Sequence, residues 1–499
     1  LEYNVGRKEK RKDKEMSSTT PTIILPTRHY QSTTDNDMNA IVRQMLAACQ
    51  CGDIKIIHEL GSIIPNNNNN NNDSNFVNYY CQQDSETGIS PLMVACQVGN
   101  LPLVKTLLDD PCRAPWNAVC RHYRKCAGDY ATDNERWEIV QYLVDWATRS
   151  ELILGTIHKQ ARVFNDIEPD RQKKEGGNYN NIPIPLEEQS STKVDYLQQK
   201  VTYNSDNTAL IDEDKDAVMM EWERPIMKAH AQILLEDCIV KDNPSANKSR
   251  RVLNIGFGLG IIDTILQEEW KPTIHYIVEA HPDVYRKMIH DGWDQKPGVT
   301  ICFGRWQDIL PRLLLAHAGM NNNLEFDGIF FDTYAEHSYD MEDFHKLITT
   351  TATTSCSDGS SSTCTRTPLL AKPFGIYSFF NGLAPDNLFF HGVACNVVKL
   401  QLGTLGLDTE FLQCQITAPA NSVHDVISSK TWEGIRRKYW HGRDVYYLPK
   451  VTWNQEFIGR KTKNRNINDN DNDDIHNNKN DDDDMMMDID NDNHKRQRR

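Results

Sequence analysis

The stretch Arg251-Val252-Leu253-Asn254-Ile255-Gly256-Phe257-Gly258-Leu259-Gly260-Ile261-Ile262-Asp263 decides how the chain is read. An apolar run enters a turn of three alternating glycines and leaves it as a helix expected to continue through Trp270. Glycine lets backbone approach a ligand closely, and the helix that follows offers free N–H groups in its first turn. A second apolar run, His275-Tyr276-Ile277-Val278-Glu279, ends in an acid. A carboxylate about twenty residues past such glycines hydrogen-bonds the ribose hydroxyls of an adenosine-type ligand. Together these features predict a nucleotide site.

Further strands follow in step. Val299-Thr300-Ile301-Cys302-Phe303 leads into Gly304-Arg305-Trp306-Gln307-Asp308, and Phe326-Asp327-Gly328-Ile329-Phe330-Phe331 leads into Asp332-Thr333-Tyr334. A fifth strand over 373–382, a helix over 388–402 and strands over 410–417 and 444–448 bring the expected strand count to seven. This alternation predicts an α/β fold, a mostly parallel sheet with an antiparallel edge. Ligands of open α/β sheets sit at the carboxyl ends of the strands, so Glu279, Trp306 and Asp332 are expected on one crevice. Ile261 stands where the dinucleotide fingerprint G-x-G-x-x-G has its third glycine, which weakens NAD. The spacing G-x-G-x-G suits S-adenosylmethionine better; read by itself, the motif is also compatible with an ordinary tight strand-to-helix turn.

Upstream, Ala48-Cys49-Gln50-Cys51-Gly52-Asp53 recurs as Ala95-Cys96-Gln97-Val98-Gly99-Asn100. The separation is one ankyrin period of about 33 residues plus the length of an Asn-rich insert whose core is the unbroken tract at 66–72. Ser90-Pro91-Leu92-Met93-Val94-Ala95 resembles the ankyrin opening T-P-L-H-x-A, and a degenerate third copy begins at Gly128-Asp129-Tyr130-Ala131. Such helix pairs stack because one pair cannot bury its apolar face. They either cover the neighbouring domain or offer a concave surface to a partner, and both can hold.

The 499 residues are 39% hydrophobic with mean hydropathy -0.62, so part of the chain is too polar to pack. Residues 469–492 hold eleven Asp against one Lys and account for most of the net charge of -15. An acidic chain argues against a general nucleic-acid binder, and no direct nucleic-acid contact is expected. No window approaches the roughly eighteen apolar residues of a membrane span. The charged start, residues 1–16, has no apolar stretch behind it, so no secretory signal is expected and the chain reads as intracellular. Lys495-Arg496-Gln497-Arg498-Arg499 can serve as a nuclear address or be simply a basic end. The 13 cysteines form no C-x-x-C pair, so no metal site is expected and the cysteines read as small buried residues in a reducing compartment. The expected organisation is a disordered segment over 1–37, ankyrin-like repeats over 38–150, a linker over 151–194, a catalytic domain over 195–455 and a disordered tail over 456–499. Residues 349–367, rich in Thr and Ser, are expected to be a loop insert.

The blocks Met219-Met220-Glu221-Trp222-Glu223, Val252 to Gly258, Glu279-Ala280-His281-Pro282, Gly304 to Asp308, Phe326 to Tyr334 and Ser378-Phe379-Phe380-Asn381-Gly382-Leu383 occur in order. They resemble the protein arginine N5-methyltransferases, which join ankyrin-like repeats to a catalytic domain similar to guanidinoacetate methyltransferase. The resemblance implies a seven-stranded, Rossmann-like S-adenosylmethionine-dependent methyltransferase domain preceded by a small all-α repeat domain. It implies monomethylation of the δ (N5) nitrogen of arginine in a protein, with a ribosomal protein as substrate class. It also implies S-adenosylmethionine as cofactor without a metal, a monomer, and residence in cytoplasm and nucleus. Carried over by position, Phe257, Gly258, Leu259, Gly260, Ile261 and Ile262 would wrap the methionine end and Glu279 would take the ribose. Ala280 and His281 would border the adenine, and Trp306 and Gln307 would close over it. Tyr203, Met219 and Met227 would reach the cofactor from an N-terminal flap. Asp332 would face cofactor and substrate, and Glu223 the substrate guanidinium; without the resemblance, Glu223 in Glu221-Trp222-Glu223-Arg224 reads rather as a helix-surface acid. Leu259 replaces a usual Met, and Leu383-Ala384-Pro385-Asp386 replaces Leu-Gly-Ala-Asp. Two other readings are a methyltransferase of a small guanidino compound such as guanidinoacetate, and a non-catalytic ankyrin scaffold.

Overall fold

The recurring Gly-Asp/Asn pair makes the same turn twice. In the computed structural model, which describes residues 38–62, 78–167, 196–235, 250–317, 324–334, 336, 338–355, 363–416, 431–440 and 445–457, it separates the helices of two pairs. These are α1 (Met38–Cys51) with α2 (Ile54–Gly61), and α3 (Pro91–Val98) with α4 (Leu101–Leu108). Gly99 closes α3 at φ 89°, and Asn100 Oδ1 then accepts from Leu103 N at 3.0 Å. Asp53 Oδ1 accepts from Ile56 N at 3.2 Å in the first copy. The side-chain oxygen satisfies one amide that a helix start leaves unpaired. A third pair follows, α5 (Ala127–Asp133) and α6 (Trp137–Ile167). α6 continues past residue 150, where the repeats were expected to end, to Ile167.

Val42, Met45, Leu46 and Cys49 of α1 lie at helical spacing and are all buried. They join Leu92, Ala95 and Cys96 of α3, Val104 and Leu107 of α4, and Val140 and Leu143 of α6 in one core.

The second half opens with an antiparallel sheet of β1 (Thr202–Tyr203), β2 (Ala209–Ile211) and β3 (Ala217–Met220). A 3-10 turn, Glu221–Glu223, leads into α7 (Arg224–Leu235). Then come β4 (Arg251–Ile255), α8 (Ile261–Ile265) widening into a π-type turn through Trp270, β5 (Ile274–Glu279), α9 (Pro282–His290), β6 (Val299–Phe303) and α10 (Trp306–His317). β7 (Gly328–Phe331), α11 (Ser338–Thr349), β8 (Ala352–Ser355), β9 (Thr363–Arg366), β10 (Ile376–Phe379), α12 (Leu388–Thr404), β11 (Leu407–Gln415) and β12 (Val445–Trp453) complete the chain order.

The large sheet runs β11-β12-β10-β7-β4-β5-β6. Its five central-to-edge strands β10, β7, β4, β5 and β6 are parallel, while β12 is antiparallel to both neighbours. This is the expected seven-stranded α/β sheet with an antiparallel edge. The chain winds from β4 outward to β6 and then returns to β7 on the other side, so the switch point lies between β4 and β7, where α/β sheets bind ligands. The Thr/Ser-rich insert departs from expectation. β8 and β9 pair antiparallel from Ala352↔Arg366 to Ser355↔Thr363. Thr is β-branched and favours strands, so low complexity there did not mean absence of structure.

The repeats and the sheet domain share a core. Phe389 and Val393 of α12 are buried in the same cluster as the repeat helices, and Phe390 packs against it. The Trp116 ring meets Phe389 and Phe390 edge-on at 6.4 and 5.8 Å. Asn387 Nδ2, at the start of α12, donates to Asp129 Oδ2 at 2.6 Å. All these elements belong to one compact unit ending at Trp453. The asparagine tract, the segment expected to be disordered over 1–37, most of the expected linker (168–194) and most of the tail (458–499) lie outside the described residues.

Candidate active site

The glycine turn after β4 is built around a close approach. Gly256 has φ 91°, and a Cβ there would lie 1.9 Å from the carbonyl oxygen of Asp332. Only a residue without a side chain lets the ends of β4 and β7 come together so closely. Asp332 N in turn donates to Ile255 O at 2.9 Å. The turn is braced from the flap: Leu259 N donates to Met219 Sδ at 3.2 Å and Tyr203 OH donates to Gly258 O at 3.2 Å.

At the carboxyl ends of β4, β5, β6 and β7 lies a cavity of about 540 Å³. Of the positions expected from the sequence, Met219, Phe257, Gly258, Ile262, Glu279, Ala280, His281, Trp306 and Asp332 line it. Seven others do not. Tyr203 and Leu259 act from behind through the bonds just given, and Gly260 precedes α8 as its N-cap. Met227 and Ile261 are core residues packed between α7 and α8. Gln307 Nε2 donates to Glu336 at 3.0 Å, and Glu223 is buried close enough to Asp332 to feel its charge.

Glu279 ends β5 with its carboxylate buried. Phe257 N donates to Oε2 at 2.8 Å and His281 N to Oε1 at 2.6 Å. Burial pushes its pKa up, against these amide bonds, which pull it down. The Gly258 and Ala280 amides pull in the same direction. The His281 ring is engaged on both sides: Nδ1 accepts from Asp283 N at 3.2 Å, which puts the proton on Nε2, and Nε2 donates to Gln199 O at 3.0 Å. Tyr196, on the cavity wall, sets its ring 4.9 Å from both His281 and Tyr334.

Some wall residues carry no signal in the sequence. Glu336 accepts from Trp306 Nε1 at 3.1 Å, from Gln307 Nε2 at 3.0 Å and from Thr333 Oγ1 at 2.8 Å, which fixes the indole at the cavity rim. Tyr334 OH donates to Asp212 Oδ2 of the flap at 3.0 Å. Tyr334 stands beside Asp332 in a block already singled out; nothing local distinguishes Glu336 or Tyr196 from surface residues.

The second carboxylate sits deeper. Glu223 Oε1 accepts from Met220 N at 2.8 Å and from Tyr439 OH at 2.5 Å. Burial, then the nearby Asp332 charge, push Glu223 up to about 8, against the pull of the Tyr439 and Met220 bonds. Burial pushes Asp332 up to about 7. Below them, His230 of α7 bridges Ser378 Oγ (2.8 Å) and Tyr446 OH (3.0 Å), and burial lowers it to about 3, so it stays neutral. Tyr446 OH accepts from Asn381 N at 2.6 Å, which ties the loop after β10 to this cluster.

The cavity is of the size that encloses a nucleoside-type ligand. A buried acid on the cavity wall at the end of β5, bare backbone at the glycine turn and an indole lining the cavity fit S-adenosylmethionine. Among the described residues no group of three or more His, Cys, Asp or Glu is placed to hold a metal ion.

Residues 186–368 match the family model for guanidinoacetate N-methyltransferase, and residues 44–151 match that for ankyrin repeats in three copies. Protein arginine N-methyltransferase 2 of Yarrowia lipolytica is 37% identical over 297 residues, 60% of this chain and 54% of that protein. The proteins of the same name in Eremothecium gossypii and Saccharomyces cerevisiae are 32% and 31% identical, over 68% of this chain in both cases and over 77% and 75% of their own lengths. The chain thus spans about half the length of the Yarrowia protein and about three quarters of the other two. On repeats, sheet order and these relatives together, the chain belongs to the protein arginine N-methyltransferase 2 family.

Proposed function

We propose that the protein transfers a methyl group from S-adenosylmethionine to the δ (N5) nitrogen of an arginine in a protein, with a ribosomal protein as substrate class. The observation that carries this reading is the pair of neighbouring carboxyl groups at the switch point, Asp332 on the cavity wall and the buried Glu223 near it. S-adenosylmethionine, when bound, supplies a methyl group activated by its sulfonium. Glu279, the backbone at Gly256 and Gly258, and Trp306 are the residues that would hold it.

A guanidinium is always charged in water and its nitrogen lone pairs are delocalised. Fork-like, charge-assisted hydrogen bonds to Asp332 and Glu223 would fix its plane. A free carboxylate oxygen, on Asp332 or at Glu223 Oε2, would accept the proton as the attacking nitrogen gives up its delocalisation. Alignment of the reacting groups is worth up to about 7–11 kcal/mol, so no covalent intermediate on the enzyme is needed. The choice of the δ nitrogen and of a ribosomal substrate rests on the family resemblance. So do action as a monomer and residence in cytoplasm and nucleus.

The test is mass spectrometry of a cell lysate incubated with the full chain and methyl-labelled cofactor, with fragmentation of labelled peptides. Label on the arginine δ nitrogen of a ribosomal protein is the expected result. Label on ω nitrogens overturns the N5 assignment, and label confined to small guanidino compounds overturns the protein substrate.

A further inference from the structure

Between β11 and β12 the chain carries a short segment, 431–440, that folds back over the flap. Trp432 and Trp440 are buried, with rings 6.4 and 5.8 Å from Trp222. Arg436 forks onto Asp216, Nε to Oδ1 at 3.0 Å and Nη2 to Oδ2 at 2.6 Å, and its amide donates to Lys215 O at 2.7 Å. The segment is thereby pinned to the strands that precede Glu223. Tyr439 stands between these anchors, its ring 5.7 Å from Trp222 and 5.2 Å from Trp432, and its hydroxyl on Glu223.

Resting on the function proposed above, we infer that Tyr439 is a positioning residue for methyl transfer: its hydroxyl and the Met220 amide hold Glu223 Oε1, so that Oε2 is the oxygen presented to the substrate guanidinium. Both hydrogen bonds given to Glu223 end on Oε1. A carboxylate held at one oxygen by two donors loses its freedom to rotate, and the proton and the substrate N–H groups then compete only for the other oxygen. The groups acting on Glu223 come from four elements: Met220 at the end of β3, Asp332 after β7, Tyr439, and Tyr446 of β12. Tyr439 and Met220 favour its ionised form, and the Asp332 charge opposes it.

Tyr439→Phe keeps the ring and removes the donor. Hydrogen bonds to charged groups are strong enough that its loss should move the acid limb of kcat/KM to higher pH by about one unit, an approximately tenfold loss near pH 7 that narrows to about twofold near pH 9. S-adenosylhomocysteine binding, measured by calorimetry, should not change. Urea unfolding supplies a readout that needs no activity. The variant should lose more stability near pH 9, where Glu223 is ionised, than near pH 6, and that difference should vanish in a Glu223→Gln background. A loss of kcat/KM that is uniform in pH, or an unfolding difference that persists with Gln at 223, overturns the proposal. If the wild type methylates no arginine, the functional reading falls and takes with it the role toward substrate. The unfolding cycle then still decides, separately, whether Tyr439 governs Glu223.

Discussion

The Glu279 carboxylate holds the Phe257 and His281 amides, and the Gly258 and Ala280 amides act on it as well. Glu279→Ala should therefore abolish a ribose contact and orphan the buried amides that the carboxylate holds, each worth about 1–3 kcal/mol. Calorimetry with S-adenosylhomocysteine should show affinity reduced by at least about tenfold; unchanged binding would remove the ribose role. Asp332 and Glu223 titrate as a coupled pair. Because binding a cation requires their anionic forms, kcat/KM should rise with pH through about 7 and 8. A profile flat from pH 6 to 9 would contradict the assignment. Stability runs the other way. Both folded pKa values lie above the unfolded ones, so the pair's contribution is complete below the unfolded pKa near 4 and is lost as pH rises through 7 and 8. Asp332→Asn should thus unfold at higher urea than the wild type near pH 9, while methyl transfer falls at least about 100-fold. Glu279 and Asp332 were legible in the sequence because each ends a strand at a place fixed by topology. Tyr439 was not, because it reaches Glu223 across more than two hundred residues of chain, and no local pattern encodes such a contact.

At the scale of elements, the strand-turn-helix unit at β4 and the repeat turns were legible because glycines and capping residues mark them. The β8–β9 hairpin was hidden by a composition that reads equally as a polar loop. The junction of α5 with α12 was hidden too, since it is a match of two surfaces far apart in sequence. It is nevertheless tight: a Cβ on Gly128 would lie 2.1 Å from the Phe389 ring. Gly128→Ala must push that ring aside and should cost about 1–3 kcal/mol by urea unfolding. A variant as stable as the wild type would show that the two helices are not held together at this point.

For the whole molecule, the repeats and the catalytic sheet are separate in sequence but share one hydrophobic core through Phe389 and Val393. Deleting residues 1–190 would strip that core, so the truncation would lose stability as well as any docking surface. Scanning calorimetry of the full chain should give one cooperative transition for this unit; two well-separated transitions would refute a common core. Stacked repeats need a terminal element that closes their last apolar face. Here α12 takes that place, which makes the catalytic domain itself the C-terminal cap of the array. New repeats could not be appended at that end without displacing the enzyme. The asparagine tract falls in the connection between α2 and α3, not at that capped end.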